Sequence, residues 1–432
     1  MRVLVVGGGG REHALCWGLA RSPQVEDLHA APGNAGIATI ATCHGADADD
    51  VHSQVDLAEE LDADLVVIGP EAPLVAGLAD ELRARRRRAF GPGRDAARLE
   101  GSKAFAKDLM VRHGIPTARA AAYTRADWDR DPRDVLSFLD LELGGRGAVV
   151  KADGLAAGKG VTVASDRAEA VSAIEACLAG GAFGAAGERV LIEERLEGPE
   201  VSAFALVDAT SIVPLALAQD FKRVGDGDTG PNTGGMGAYS PLPWLEEPME
   251  SRVWDVVAAT VDALRADGTT YRGLLYTGLM LTADGPKVLE YNCRFGDPET
   301  QVVIPRLRSD LAEVLDACAS DRLADVKVDL SDEAAVTVVL ASRGYPGSYE
   351  TGLLVEGLEG AATAPDAAVF HSGSLERDGR VVTAGGRVLA VTGWGPAVAD
   401  ARRRAYDAAS HISFDGMIRR DDIAARVAED AR

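Results

Sequence analysis

The sequence predicts a multidomain protein of mixed α/β and α+β class, on the basis of three observations. The first hundred residues alternate short apolar strands with helices, which is typical of an open parallel α/β domain. The middle of the chain places strands on both sides of glycine-rich loops. From about residue 326 the strands become shorter, and a helix follows near the end. We therefore expect an N-terminal α/β domain (1–102), a central domain (103–325) and a small C-terminal α+β domain (326–432).

Composition excludes several classes of function. The 432 residues carry a formal net charge of −22, which argues against nucleic acid as a partner because phosphate binding needs a basic surface. No apolar run approaches the roughly 18 residues of a membrane span. The five cysteines are scattered without metal-ligand spacing, so we expect reduced thiols and a cytoplasmic protein.

The N-terminal domain begins with an apolar strand at residues 3–6, four glycines at 7–10 and a helix. This order resembles the start of a dinucleotide-binding fold, but Glu12 stands where the third glycine belongs and the second strand is followed by no acid. A nicotinamide site is therefore disfavoured. Glycine amides at a helix N-terminus can still hold a phosphate. A second apolar strand at residues 65–68 leads into a loop at 69–73, the edge where ligands bind in such sheets.

The central domain begins with a helix from Ser102, which carries Lys103 and Lys107 on one face. Surface lysines and phosphate ligands remain equally good interpretations of that pair. Strands at 148–151 and 161–164 then flank a glycine loop that contains Lys159. The loop lacks Walker spacing, so we interpret it as a hairpin tip that can fold over phosphates, the alternative being an ordinary flexible hairpin.

Two further loops complete the candidate nucleotide and substrate contacts. A strand from residue 190 runs into an acidic turn ending at Glu200, where backbone can bind an adenine edge and a carboxylate can accept ribose hydroxyls. Residues 219–237 include Asp220, Lys222 and Arg223, and residues 225–237 hold six glycines among thirteen without apolar periodicity. We expect a structureless binding loop there.

The most informative stretch is residues 287–299, which reads KVLEYNCRFGDPE. Side chains alternate along a strand, so Glu290, Asn292 and Arg294 point the same way. A carboxylate and an amide oxygen suit a hard cation, and an arginine suits an oxyanion. The alternative is an edge strand with a solvated polar face. Within this stretch we interpret Cys293 as a packed thiol, and we interpret His371 and His411 as structural.

Seven motifs, in order along the chain, resemble the ATP-grasp superfamily and, within it, the glycinamide ribonucleotide synthetase family. They are GGGREHAL (8–15), APGNAG (31–36), VIGPEAPL (67–74), LEGSKAF (99–105), KADGLAAGKG (151–160), DTGPNTGGMGAYSP (228–241) and NCRFGDPE (292–299). The resemblance runs nearly end to end. It implies that the central domain is a two-lobed ATP-grasp core with a lid lobe at about residues 121–190.

The resemblance also implies an activity. ATP, glycine and 5-phosphoribosylamine would give glycinamide ribonucleotide, ADP and phosphate through a glycyl phosphate intermediate, the second step of de novo purine biosynthesis. Mg²⁺ or Mn²⁺ would assist the transfer of phosphate from ATP. All partners would be small molecules, and we expect a monomer that binds neither nucleic acid nor membrane.

The resemblance further assigns residues to these roles. Glu290 and Asn292 would hold the metal, and the catalytic residues would be Arg294, Lys159 and Asp220. ATP would be bound by Lys103, Lys151, Gly154, Gly158, Lys159, Gly160, Glu193, Glu194, Leu196 and Glu200. Glycine and phosphoribosylamine would be bound by Gly9, Gly10, Asn34, Asp220, Lys222, Asn232, Gly235, Arg294 and Asp297.

Two departures from the family pattern stand out. Phe221 occupies a position that is usually His, which leaves no imidazole there. The strand at 276–282 contains no acid, so a second metal would have no ligand that we can name. Asp297 and Glu299 lie beyond the strand, and we expect them to shape the loop or face the substrates.

Three alternatives remain open at this point. Another ATP-grasp carboxylate–amine ligase or a biotin-dependent carboxylase subunit would share most of the motifs. A nicotinamide oxidoreductase would use the N-terminal glycines. A catalytically silent nucleotide-binding regulator would not need Lys159, Glu290, Asn292 and Arg294, all of which are present.

Overall fold

The computed structural model describes residues 1–144, 147–154, 160–178 and 187–430. The N-terminal part is a parallel five-stranded sheet in the order β3-β2-β1-β4-β5. Its strands are β1 (Arg2–Gly7), β2 (Asp27–Pro32), β3 (Thr42–Cys43), β4 (Leu65–Ile68) and β5 (Arg88–Phe90). Its helices are α1 (Gly10–Leu19), α2 (Val51–Glu60), α3 (Glu71–Ala76), α4 (Leu78–Ala84) and α5 (Arg94–Gly101).

The first strand is apolar from Val3 to Val6, as expected where both faces of a sheet are covered. Val3 and Val5 pack in one core cluster, whereas Leu4 and Val6 pack in another on the opposite face. The predicted open parallel α/β domain is therefore confirmed. The glycine turn after β1 leads directly into α1, as the sequence predicted.

A separate antiparallel sheet of four strands follows, in the order β6-β9-β7-β8. Its elements are α6 (Lys103–Arg112), β6 (Ala120–Thr124), α7 (Arg125–Arg130), α8 (Pro132–Ser137), β7 (Ala148–Ala152), β8 (Val161–Ala164), α9 (Arg167–Leu178) and β9 (Arg189–Glu194). Ser102 caps α6, because its hydroxyl accepts a hydrogen bond from the Phe105 amide at 3.1 Å. The lobe has its own core between the sheet and helices α8 and α9.

The remaining strands form one large antiparallel sheet and two small hairpins, β12-β13 and β19-β20. The elements up to α12 are β10 (Glu200–Val207), β11 (Ile212–Asp220), β12 (Arg223–Gly225), β13 (Thr229–Asn232), β14 (Gly237–Ser240), α10 (Glu247–Ala266), β15 (Gly273–Thr282), β16 (Gly285–Asn292), α11 (Thr300–Val303) and α12 (Leu311–Ala319). Those that follow are β17 (Ala334–Ser342), α13 (Leu358–Ala362), β18 (Ala367–His371), β19 (Ser374–Arg377), β20 (Arg380–Thr383), β21 (Arg387–Gly395), α14 (Val398–Ala409), β22 (Met417–Ile418) and α15 (Ala425–Asp430).

The large sheet joins the central and C-terminal parts of the chain. Its order is β16-β15-β10-β11-β14-β17-β21-β18, with β22 paired to β17. The join lies between β14 and β17, where Gly237 is opposite Val338. Hydrogen bonds therefore run without interruption from the strand that carries Glu290 to the strand that carries Arg387.

The prediction of a structureless loop over residues 225–237 is wrong. Strands β12 and β13 form a two-stranded hairpin, with Asp228 at φ 55° in its turn. The hairpin is polar and partly exposed on both faces, so it has no hydrophobic alternation by which the sequence could reveal it.

Two further features agree with the composition. In the part of the chain that the structure describes, no helix combines the length and the apolar character that a membrane crossing requires. All five cysteines are free thiols, and Cys293 is buried with its pKa raised by burial, as expected for a packed thiol.

Candidate active site

A cleft of about 620 Å³ lies where the N-terminal sheet, the four-stranded lobe and the large sheet meet. All three predicted domains contribute side chains to it, including Glu71, Lys103 and Arg387. The predicted site residues that line it are Lys103, Lys151, Gly154, Gly160, Glu193, Asp220, Lys222, Asn232, Glu290, Asn292, Arg294 and Asp297. Residues separated by almost two hundred positions in the sequence are thus brought together.

Other predicted residues are placed elsewhere. Those that do not line the cleft are Gly9, Gly10, Asn34, Glu194, Leu196, Glu200 and Gly235. Gly158 and Lys159 lie outside the described residues. The Glu194 carboxylate is occupied by Arg119, since it accepts hydrogen bonds from the Arg119 amide and side chain at 3.0 and 3.1 Å.

Lys103 and Lys151 lie on one side of the cleft, where buried contacts hold their ammonium groups. Lys103 donates to the Gly154 carbonyl at 2.8 Å, and burial lowers the pKa of its ammonium group. Lys151 donates to the Leu289 carbonyl at 2.8 Å and pairs with Glu193 at 2.6 Å. The Glu193 carboxylate is therefore paired with an ammonium group. Only the backbone of Glu193 remains for the contact with adenine that the sequence predicted.

Arg294 is held in the cleft by several contacts. Its guanidinium group forms an ion pair with Glu100 at 2.9 Å, and it donates to Glu71 at 3.3 Å and to the Phe295 carbonyl at 3.2 Å. Burial acts against its charge, but the two carboxylates more than compensate and raise the pKa of Arg294 further. The guanidinium is therefore permanently charged and held in one orientation, which suits a contact to a developing anion.

The predicted metal ligands are adjacent and fit a hard cation. Among the described residues the Glu290 carboxylate accepts no hydrogen bond, and it faces the cleft. The Asn292 amide oxygen accepts one from Arg294 at 3.2 Å. Three or more His, Cys, Asp or Glu side chains arranged to hold a metal do not occur in the described residues. One carboxylate and one amide oxygen leave room for phosphate oxygens and water, which is how Mg²⁺ is commonly bound with nucleotides.

Asp220, Lys222 and Glu299 form an acidic and basic cluster at the other side of the cleft. Lys222 pairs with Asp220 at 3.0 Å and with Glu200 at 2.9 Å. Burial raises the pKa of Asp220, although Lys222 opposes this. Burial and the nearby Asp220 raise the pKa of Glu299 to about 7. Glu299 lines the cleft and can gain or lose a proton near neutrality, a property that its position in the sequence did not reveal.

The glycine turn after β1 lies next to Asp297. The Asp297 carboxylate accepts a hydrogen bond from Gln301 at 2.8 Å and pairs with Arg387 at 3.0 Å. A side chain added at Gly9 would come within 3.6 Å of the same carboxylate, so the turn approaches it closely. This proximity keeps Gly9 and Gly10 as candidates for a substrate contact at the rim.

The role expected for Asn34 is corrected by its surroundings. Its amide nitrogen donates to the carbonyls of Gly8 and His371 at 2.9 and 2.7 Å. Its amide oxygen accepts from the Gly36 and Ile37 amides, both at 2.9 Å. The side chain is buried with its hydrogen-bonding groups used, so it braces the turn rather than facing a substrate.

Several cleft residues were not identified from the sequence. They are Arg11, Glu71, Glu100, Tyr345 and Arg387. Glu71 lies in the VIGPEAPL motif and Glu100 in the LEGSKAF motif, so membership of a family motif could have identified both as site residues. Arg387 donates to the Asp297 carbonyl at 2.8 Å and reaches the site from β21. Nothing local marks an arginine at the start of a strand as part of a cleft.

A two-lobed arrangement of this kind, with an antiparallel lobe placed over a larger sheet and lysines facing a carboxylate–amide pair, defines an ATP-grasp protein. Solved structures agree. The biotin carboxylase domain of Hydrogenobacter thermophilus 2-oxoglutarate carboxylase shares the fold at a TM-score of 0.72 and 18% identity, over 97% of this chain and 91% of that one.

The chain belongs to the phosphoribosylglycinamide synthetase family. Its N domain model matches residues 1–100, its ATP-grasp (A) domain model residues 101–300 and its C domain model residues 335–426. The chain is 52% identical to phosphoribosylamine–glycine ligase of Streptomyces coelicolor, over 99% of this chain and 100% of that one. The Agrobacterium fabrum ligase is 49% identical, over 98% and 97%. The Thermotoga maritima ligase structure superposes with a TM-score of 0.82 at 34% identity, over 98% and 100%.

Proposed function

We propose that this protein is a phosphoribosylamine–glycine ligase that joins glycine to 5-phosphoribosylamine and converts ATP to ADP and phosphate. Full-length identity of 52% to a ligase of that name supports the overall reaction. The observation that carries the proposal at the site is the meeting of Arg294, Glu290 and Asn292 with buried lysines in one cleft. That set matches what phosphoryl transfer needs, namely positioning and neutralisation of charge.

In the first step a carboxylate oxygen of glycine attacks the γ-phosphorus of ATP, and the bond to the ADP oxygen breaks. Lys103 and Lys151 neutralise phosphate oxygens from one side of the cleft. Apolar side chains that can accept the adenine ring come from α6, β8, β9 and β16; they are Ala106, Met110, Val161, Leu191 and Leu289. Glu290 and Asn292 would hold Mg²⁺ or Mn²⁺, which when bound supplies further neutralisation of the phosphates.

In the second step the amine of phosphoribosylamine attacks the carbonyl carbon of glycyl phosphate, phosphate leaves and the amine loses a proton. Arg294 is fixed by Glu71 and Glu100, so it can donate to the oxyanion without reorganising. Glycyl phosphate hydrolyses in water, so the lobe built on β6–β9 serves to close the cleft. Asp220, Lys222, Asn232 and Asp297 line the same cleft, which supports contacts from them to glycine and phosphoribosylamine.

We further propose the domain division at 102/103 and 325/326, with the lid lobe at about 121–190. The N model ends at residue 100 and the A model begins at residue 101, which supports the first boundary. The A model ends at residue 300 and the C model begins at residue 335, which brackets the second. The free thiols of the described cysteines support a reducing, cytoplasmic location. We also propose that the protein is a monomer.

The test is ADP release measured with ATP and Mg²⁺ while glycine and phosphoribosylamine are omitted in turn. We expect full release only with both substrates, together with a product of the mass of glycinamide ribonucleotide. Bicarbonate in place of glycine is the matched control for a carboxylase, a class that shares the fold. ADP release that follows bicarbonate and ignores glycine would replace this function with that one.

A further inference from the structure

Three buried charges lie together at the lobe side of the cleft. The Glu193 carboxylate is 3% exposed and contacts two ammonium groups, Lys107 through Oε1 at 2.7 Å and Lys151 through Oε2 at 2.6 Å. All three side chains line the cleft. The summed charge of the three groups is +1 when all are ionised. Burial alone would raise the pKa of Glu193, but the two lysines outweigh burial and lower it, which favours the ionised carboxylate.

The two lysines differ in how their donors are used. Lys107 donates to Glu193, to the Thr117 hydroxyl at 2.7 Å and to the Ala118 carbonyl at 3.0 Å. An ammonium group has three N–H donors, so Lys107 has none left for a ligand. Lys151 donates to Glu193 and to the Leu289 carbonyl, which leaves its third N–H without an acceptor among the described residues.

We propose that Lys107 is a positioning residue for ATP, acting through Glu193: it neutralises that carboxylate so that Lys151 offers an uncancelled positive charge to the phosphates. Without Lys107, Lys151 and Glu193 form a neutral buried pair, and the attraction of Lys151 for a phosphate is offset by the adjacent carboxylate. The inference rests on the proposed function, since it takes ATP as the ligand of this cleft.

The donor count separates this role from a direct contact. If Lys107 itself bound the nucleotide, it would first have to leave Glu193, Thr117 or Ala118, and each is buried or partly buried. Breaking a buried ion pair is costly because it strands a charge. Lys151 can instead donate its third N–H to a phosphate while Lys107 keeps Glu193 compensated.

The experiment is a double-mutant cycle on the full chain, with binding of a non-hydrolysable ATP analogue measured by calorimetry. The net charge of the three groups is +1 in the wild type, 0 in Lys107→Met, +2 in Glu193→Gln and again +1 in the double variant. We expect Lys107→Met to weaken binding about tenfold and the double variant to return to within about threefold of the wild type. Lys107→Arg, which keeps the charge, should bind within the same range.

Lys327→Met is the matched control, since that lysine is 85% exposed and should leave affinity unchanged. A double variant as weak as Lys107→Met would mean that Lys107 contacts the nucleotide directly and would overturn the inference, as would wild-type affinity in Lys107→Met. If Lys107→Met folds poorly in thermal melts, the double variant carries the test, because it restores the wild-type charge of the cluster. Failure of the wild type to bind the analogue would instead count against the proposed function.

Discussion

Replacing Arg294 with methionine is the change that should separate catalysis from stability most clearly. The guanidinium touches Glu100, Glu71 and the Asn292 amide oxygen at 2.9, 3.3 and 3.2 Å. Loss of one preorganised donor to an oxyanion typically lowers kcat by about 10²–10³-fold. Breaking a buried ion pair typically costs about 3–5 kcal/mol of folding free energy. The side chains of Arg294 and Glu100 are 15% and 7% exposed, so solvent screens this pair little.

The pH dependence of that loss follows from the carboxylates left behind. Burial already raises the pKa of Glu100. Burial also acts to raise the pKa of Glu71, but Arg294 and Arg11 outweigh it and hold that pKa below its usual range, so removing Arg294 should raise the pKa of both carboxyls. A carboxyl whose pKa is higher in the folded than in the unfolded state favours folding at low pH, and that contribution is lost as the pH rises through the folded pKa. The destabilisation of Arg294→Met should therefore be larger at pH 8 than at pH 5.

The assay pairs urea unfolding at pH 5 and pH 8 with steady-state ADP release. Arg133→Met is the control, because that arginine is 89% exposed and its loss should change neither measurement. A destabilisation that is the same at both pH values, or smaller at pH 8, would refute the charge argument. Turnover within about threefold of the wild type would refute the role of Arg294 in the reaction.

Three other predictions follow from the cleft. Glu290→Ala should lose Mg²⁺-dependent turnover while its circular dichroism matches the wild type, and normal turnover would remove Glu290 from the metal site. Glu299→Gln should raise the melting temperature more at pH 8 than at pH 6. The reason is that the pKa of Glu299 is raised to about 7, so ionisation of this buried carboxyl disfavours folding more at pH 8. An equal shift at both pH values would contradict the raised pKa of Glu299. Arg387→Met should raise the KM for glycine or phosphoribosylamine more than the KM for ATP, because Arg387 anchors Asp297. An effect confined to ATP would show that Arg387 serves another part of the cleft.

Much of the fold could be predicted because local patterns carry it. The apolar run at residues 3–6 identified a strand buried on both faces. The strand expected at the start of residues 287–299 is present as β16, which pairs with β15. Alternation placed Glu290, Asn292 and Arg294 on one face, and all three line the cleft. The polar hairpin of β12 and β13 has no buried face, so hydrophobic periodicity could not predict these strands.

The partners of the site residues could not be predicted in the same way. Glu71 is 223 positions from Arg294, and Asp297 is 90 positions from Arg387. Spacing along the chain says nothing about such contacts until the sheets are assembled. Asn34 shows the converse: a polar residue in a recognisable motif was expected to face substrate, yet tertiary packing uses its whole amide to brace a turn.

The central claim is that the glycine carboxylate is activated by phosphorylation in this cleft. Glycine labelled with ¹⁸O in both carboxylate oxygens tests it directly, with the released phosphate analysed by mass spectrometry. The account predicts that each turnover transfers a labelled oxygen from glycine to inorganic phosphate, because the bond formed to phosphorus in the first step is kept when phosphate leaves in the second. Unlabelled phosphate released together with labelled glycinamide ribonucleotide would contradict the glycyl phosphate intermediate and the roles derived from it.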